Sequence, residues 1–239
     1  MNRIVNALGA QFELNFLRLT TIPLDFNVPL VNVNEKSGEV LSGKITTNTR
    51  RINIRGPIYD VNSEQIRNEV NSLLTVIQHP PLQVFFDYEG RFIFAYPLSI
   101  PQNWRGYRKD VNIPLQLICP NPFFYGSLIE ETDPIELNNE GNSPVKPVIE
   151  VDFSYSGSSI EIENETNDNI ITIEHDFEEA DLLVIDNENF VIELNGENIM
   201  NSVDDDWLIN GFVLSPGNNE LSYTGPEADV TYEYRPKWL

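Results

Sequence analysis

The chain has one cysteine, Cys119, so no internal disulfide can form, and no paired Cys/His spacing of the zinc type occurs. Packing must hold it together. Positive charge is scarce: 15 Lys and Arg stand against 37 Asp and Glu in 239 residues, a formal net charge of −22. Such a molecule opposes the phosphate backbone, which disfavours non-specific nucleic-acid binding by the molecule as a whole, and no sequence-specific nucleic acid is expected as a partner. No run of about 18 apolar residues exists, so no membrane-spanning helix is expected. The opening Met1 to Gly9 is too short and polar for a secretory leader, and synthesis in the cytoplasm is expected. The two histidines, His79 and His175, each stand alone and read as a helix end and a surface position. The nucleophile-elbow, phosphate-loop and dinucleotide-binding glycine patterns are absent. Neither a catalytic residue nor a metal site nor a cofactor is nominated.

The charge that is present is unevenly placed. Residues 1–126 carry 12 basic and 10 acidic side chains (+2), whereas residues 127–239 carry 3 basic and 27 acidic (−24). Between Lys146 and Arg235 there is no Lys or Arg. An asymmetry of this size marks two domains, expected at 1–131 and 132–239. Ser127 to Pro147 is rich in turn chemistry (Asp133-Pro134, Asn138 to Asn142, Ser143-Pro144) and reads as the joint. The acidic half is no disordered tail, because it keeps Phe153, Phe177, Phe190, Trp207, Phe212, Tyr232 and Tyr234 among many Ile and Val.

The first half reads as α+β. Asn62 and Gln65 form a capping-box variant, followed by Ile66, Val70, Leu73, Leu74 and Ile77 at helical spacing until Pro80-Pro81. Leu82–Tyr88 and Arg91–Leu98 flank Glu89-Gly90 as a hairpin. Tyr107–Cys119 alternates as a strand, with Pro114 pointing to an edge or bulge. Gly43–Arg55 is long enough for a hairpin arm, and Lys44, Arg50, Arg51 and Arg55 cluster on it as candidate contacts with an acidic surface, which another copy could supply. Phe123, Phe124 and Tyr125 form a candidate aromatic plug where the domains meet.

The second half shows short alternating runs every 8 to 12 residues and so reads as an all-β sandwich of eight or more strands. Those runs include Pro147–Tyr155, Ile160–Ile162, Ile170–Ile173, Leu182–Ile185, Phe190–Leu194, Leu208–Leu214, Glu220–Tyr223 and Val230–Tyr234. Glu161, Glu163 and Glu165 share one phase, about 6.7 Å apart in steps of two, a spacing an inverting glycosidase could use. They oppose Ile160 and Ile162, however, where a solvated face belongs. Asp204 to Asp206 and Asp186 to Asn189 offer oxygens to calcium without matching the EF-hand loop. Trp207 and Tyr223 are the aromatics on which a carbohydrate-binding module would rely.

Three segments carry a family resemblance. Leu115-Gln-Leu-Ile-Cys-Pro-Asn-Pro-Phe-Phe-Tyr-Gly126, then Asn139-Glu-Gly-Asn-Ser-Pro144 leading to Val148-Ile-Glu-Val151, and Leu214-Ser-Pro-Gly-Asn-Asn-Glu-Leu221 resemble, in order and spacing, the distal tail proteins of long-tailed phages. The resemblance implies an N-terminal ring-forming domain, six copies closed by an arm from each, and a C-terminal galectin-like sandwich. It implies a non-enzymatic virion protein at the distal end of the tail, made in the host cytoplasm. Implied partners are further copies, the tail tube protein, the tail-associated or tail-tip protein, the tape measure protein and receptor-binding proteins. The sugar-contacting His, Arg, Asn and Trp pattern of galectins is not matched, so the lectin site does not carry over with the fold.

Overall fold

A computed structural model describes residues 2–14, 18–21, 26–27, 30–32, 39–41, 46–47, 49–59, 63–86, 90–99, 110–203, 207 and 211–239. Two compact units, Met1–Phe124 and Tyr125–Leu239, divide the chain. The join lies seven residues before the boundary expected after residue 131. Strand Ile129–Thr132, read as linker, pairs inside the second unit.

The first unit contains β1 (Arg3–Val5), β2 (Gln11–Glu13), β3 (Arg18–Thr21), β4 (Phe26–Asn27), β5 (Leu30–Asn32), β6 (Glu39–Leu41), β7 (Thr46–Thr47) and β8 (Arg50–Tyr59). Helix α1 (Ser63–Ile77) follows, then β9 (Leu82–Phe85), β10 (Phe92–Ser99) and β11 (Asp110–Cys119), and β12 (Phe124–Tyr125) carries the chain into the second unit. An antiparallel sheet runs β2-β1-β9-β10-β11-β8-β3. One face of it buries Ile4, Ile52, Ile54, Leu82, Val84, Ile93, Ala95, Leu115, Leu117 and Cys119 in a cluster with the apolar stripe of α1. That stripe is Ile66, Val70, Leu73, Val76 and Ile77; Leu74, expected inside, is half-buried and Val76 takes the deeper place. The helix ends at Ile77, and after Gln78 and His79 Pro80-Pro81 cannot extend it.

The stretch read as an arm, 43–55, is the returning side of a longer excursion. β3 pairs with β8 and β4 with β7 in one antiparallel frame, from Arg18 opposite Arg55 to Asn27 opposite Thr46. The frame shifts by two residues before Leu30 meets Leu41. The returning strand β8 is also an interior strand of the sheet, held on its other side by ten residue pairs with β11 from Asp110↔Tyr59 to Cys119↔Arg50. Asn62 and Lys44 lie outside the described residues.

Pro114 is not on an edge strand, since β11 lies between β10 and β8. Among the described residues β10 pairs only with Gln116 to Ile118, with a register shift between Pro97 and Ser99. Among the described residues Pro114 has β8 alone beside it, so its missing N–H costs no ladder bond to a described residue of β10.

The second unit is a sandwich. Its strands are β13 (Ile129–Thr132), β14 (Glu136–Asn139), β15 (Val148–Phe153), β16 (Gly157–Asn164), β17 (Asn169–Phe177), β18 (Leu182–Asp186), β19 (Val191–Leu194), β20 (Glu197–Asn198), β21 (Gly217–Thr224), β22 (Ala228–Tyr234) and β23 (Lys237–Trp238). One sheet runs β13-β22-β15-β18-β19-β20 and the other β14-β21-β16-β17. Inward side chains of both form one cluster, including Ile149, Val151, Ile162, Ile173, Leu183, Ile185 and Val230. Phe153 of one sheet stacks on Phe177 of the other, ring centroids 4.4 Å apart.

The segment 127–147 is therefore not a plain linker, because it supplies β13 and β14, one for each sheet. With one apolar side chain apiece on the inward phase, these short strands lack the alternation that reveals a strand. Leu208–Leu214, expected as a strand, forms none among its described residues: only Leu214 makes a bridge, to Val145.

Candidate assembly surfaces

On β8, Ile52 and Ile54 are fully buried, so alternation splits the arginine cluster. Arg51, Asn53 and Arg55 face away from the core, with both arginines exposed. Arg50 falls on the core phase at the end of the strand, half-buried, its guanidinium 4.5 Å from the Phe124 ring centroid. Arg50 is thus a packing residue of the first unit, whereas Arg51 and Arg55 stand where a partner could reach them. The register builds rows across the same outer face: Tyr96, Ile118 and Arg51 in one, Gln116, Asn53 and Thr20 in the next, Pro114, Arg55 and Arg18 in a third. At the far end of the sheet Glu13, Arg3, Phe85 and Phe92 form another row. There Arg3 lies 4.4 Å over Phe85, and the Phe85 and Phe92 centroids are 5.2 Å apart.

The aromatic run also divides. Phe124 packs edge-on against Phe86 (5.3 Å) in the first unit, while Tyr125 is buried in the second with the Lys237 ammonium 5.7 Å from its ring. Phe123 is half-buried. Gly126 donates its N–H to Pro236 O, and a Cβ on it would meet the Trp238 ring at 3.1 Å.

The two later family motifs meet through buried asparagines. Asn139 donates to Ser143 O and Leu214 O and accepts from Gly141 N–H. Gly141 lies against the Lys237 backbone, which leaves no room for a Cβ. Asn219 accepts from Ser215 N–H and Asn164 Nδ2, and donates to Ser215 O and Gly217 O. These motif residues satisfy loop backbone inside an apolar core, where unpaired polar groups are costly. Their role is to shape the domain.

A second asparagine organises the long loop before β21. Asn187 Oδ1 accepts from Trp207 Nε1 (2.7 Å) and Phe212 N–H (2.9 Å), and its Nδ2 donates to Pro147 O. Gly211 follows at φ 63°, and a Cβ there would press on Lys146 Nζ and Phe190. Trp207 is therefore core, 1% exposed, and offers no platform to a sugar. The Tyr223 hydroxyl donates to Pro226 O.

Glu161 is exposed and Glu163 half-exposed beside buried Ile160 and Ile162, so the pair lies on a solvated face; Glu165 lies past the strand end. Asp186 uses both carboxylate oxygens within its own turn, on Glu188 N–H and on the Asn189 N–H and Nδ2 groups. Asp204 to Asp206 lie outside the described residues. His79 is exposed, and His175 stands edge-on to Phe177 with Nδ1 3.5 Å from Ser202 Oγ. A cleft of about 420 Å³ lined by Thr172, Glu174, Asn201, Ser202 and Val203 adjoins it.

Burial dominates the perturbed thiol, phenols and ammonium. It pushes the Cys119 thiol up to about 12, with Arg50 opposing, and the Tyr125 phenol up to about 12, helped by Glu188. Burial raises Tyr232 as well, assisted by Asp133, and lifts Tyr234 to about 12 with help from Glu131 and Glu140. Lys146, whose ammonium lies 4.0 Å over the Phe190 ring, is held below its ordinary value by burial; Glu188 opposes this and Lys237 adds to it. Lys237 bonds Glu188 at 2.9 Å. Sequence reading passed over this cluster, although Lys146 and Lys237 are two of only three cations in the acidic half.

No curated protein sequence matches the chain. The siphovirus-type tail component C-terminal domain family matches residues 140–238. That stretch of the chain thus resembles a siphovirus tail-component domain. The crystal structure of SPP1 Dit (gp 19.1), described as a paradigm of the hub adsorption apparatus of phages that infect Gram-positive bacteria, aligns over 100% of both chains with TM-score 0.75 at 16% identity. Baseplates of phage p2 in the activated conformation align over 97% of both chains, with TM-score 0.53 at 8% identity for the Ca form and 0.50 at 9% for the Sr form. At such identities these are likenesses of fold. Family match and fold together meet the resemblance to distal tail proteins drawn from the motifs, and the mainly β fold class with it.

Proposed function

We propose that this chain is a non-enzymatic distal tail protein of a long-tailed phage, in which six N-terminal domains close a ring at the distal end of the tail. The ring joins the tail tube to the tail-associated or tail-tip protein. The tape measure and receptor-binding proteins are further partners. The observation that carries this reading is the family match over residues 140–238, which likens the acidic sandwich to a tail-component domain. Charge agrees with it: near-neutral domains can pack side by side, whereas sandwiches at −24 repel one another and splay outward. Arg51 and Arg55, with Lys44, are the contacts between copies. The experiment is light scattering of the full chain across a concentration series, with imaging of any large species and labelling of purified tails. A six-fold mass with a central hole, and label at the tail's distal end, is expected. Strictly monomeric protein together with unlabelled tails overturns the reading.

A further inference from the structure

Like charges opposite one another in an antiparallel pair destabilise it. Two sheets of this chain nonetheless carry such pairs. In the first unit Arg55 stands opposite Arg18, and Arg51 lies four residues along the same outer face of β8. The register sets Ile118, Gln116 and Pro114 beside Arg51, Asn53 and Arg55, with no carboxylate among them. Tyr96, in the row of Arg51, is 41% exposed.

In the second unit the outer face of the six-stranded sheet sets Glu130 opposite Glu233 and Asp152 opposite Asp229, with Glu150 between them opposite Thr231. All five carboxylates are exposed, and the six strands contain no Lys or Arg.

The two faces also match in spacing. Arg51 and Arg55 are four residues apart on one strand, and Asp229 and Glu233 are four apart on another, about 13 Å in each case. A polyanion would meet the same arginines only against the field of the −24 domain.

We propose that the outer face of β3, β8 and β11 docks on the carboxylate face of the six-stranded sheet of a second copy of this chain. The contact rests on the ring reading for its setting and names which surfaces meet. It brings two arginines to at least two carboxylates, lowers the like-charge repulsion on each face and covers Tyr96 and Ile118. Between exposed groups such attraction acts largely on encounter and register, and it weakens with salt.

The test is light scattering of the full chain over a series of concentrations at low and high salt. Comparison is made with R51E/R55E, D229K/E233K and the four-fold combination, with circular dichroism as the check on folding. Association of the wild type that weakens with salt is expected, reduced at least roughly tenfold in each double variant and recovered in the combination. D229K sets a lysine opposite Asp152, so the reversed sandwich should melt no lower than the wild type. The neutral pairs R51Q/R55Q and D229N/E233Q should fall between.

Association indifferent to both reversals overturns the proposal. If rings form in those variants, the ring reading survives it; monomeric wild type at every concentration overturns the proposal and leaves the ring reading to the labelled tails. Loss of binding to a duplex DNA probe in R51E/R55E, with association unchanged, overturns it in favour of a phosphate contact.

Discussion

The two halves of this chain solve one problem with opposite surfaces. Both bury one face of antiparallel sheets, the first against helix α1 and the second against another sheet, and both reach fully excluded cores. They differ in what the outward phase carries: +2 in residues 1–126 and −24 in residues 127–239. Alternation lets a strand hold an apolar core and an almost arbitrary outer charge at once, as in β15, where Ile149, Val151 and Phe153 are buried and Glu150 and Asp152 exposed. Charge is therefore free to encode assembly, while the fold depends on the inward phase.

The halves also differ in where they keep polar groups. The second core contains Tyr232 and Tyr234 and the buried amides Asn139, Asn164, Asn187 and Asn219, whereas among the described residues the first core cluster contains no tyrosine. Alkali should break the comparison most strongly. A phenol whose folded pKa is raised contributes stability that is complete below the unfolded value of 10 and disappears as pH rises through the folded value. For Tyr125 and Tyr234 that window is pH 10 to about 12. The sandwich should unfold there, read by tyrosinate absorbance and near-ultraviolet dichroism, while helical signal from α1 survives. Simultaneous loss of both would show that the units melt as one.

Trp207→Ala should follow, costing about 3–5 kcal/mol in the second unit by opening a cavity and removing a donor from Asn187 Oδ1. Chemical unfolding followed by tyrosine fluorescence measures it. Leu73→Ala should cost about 2–5 kcal/mol in the first unit and move the loss of helix without moving the sandwich transition. Smallest is Asp181→Asn. Asp181 accepts from Glu178 N–H and Asn195 Nδ2, and those bonds hold its carboxyl below the ordinary 3.8. A depressed carboxylate contributes stability above its unfolded value and loses it as pH falls through the folded one. The substitution should flatten the acid limb of the sandwich's melting temperature below pH 4 and change little at pH 7.

Most of what reading along the chain revealed rests on neighbours. Ile66, Val70, Leu73 and Ile77 mark a helix because their spacing returns one face every turn, and Ile160 and Ile162 mark a strand for the corresponding reason with a period of two. The second-half strands were legible where two or more inward residues alternate. β13 and β14 were not, because their partners β22 and β21 lie about 80 to 100 residues away and their own residues resemble turn chemistry. Of the site, the charge asymmetry was legible and its geometry was not. Of the cations read as one cluster, the three arginines divide by strand phase, with Arg50 turned to Phe124 and Arg51 and Arg55 turned outward.

Composition, charge partition, the amphipathic helix, the alternating strands and the order of family motifs are all properties of residues close together in the chain, and local chemistry is enough to impose them. Which strands pair, and so what each polar group meets, depended on closure over long separations. Tertiary packing alone placed Trp207 and Phe212 on Asn187, set Arg55 opposite Arg18, and put Glu130 opposite Glu233. A side chain's phase along its strand is set by the chain, but its neighbour across the strand is chosen by the sheet.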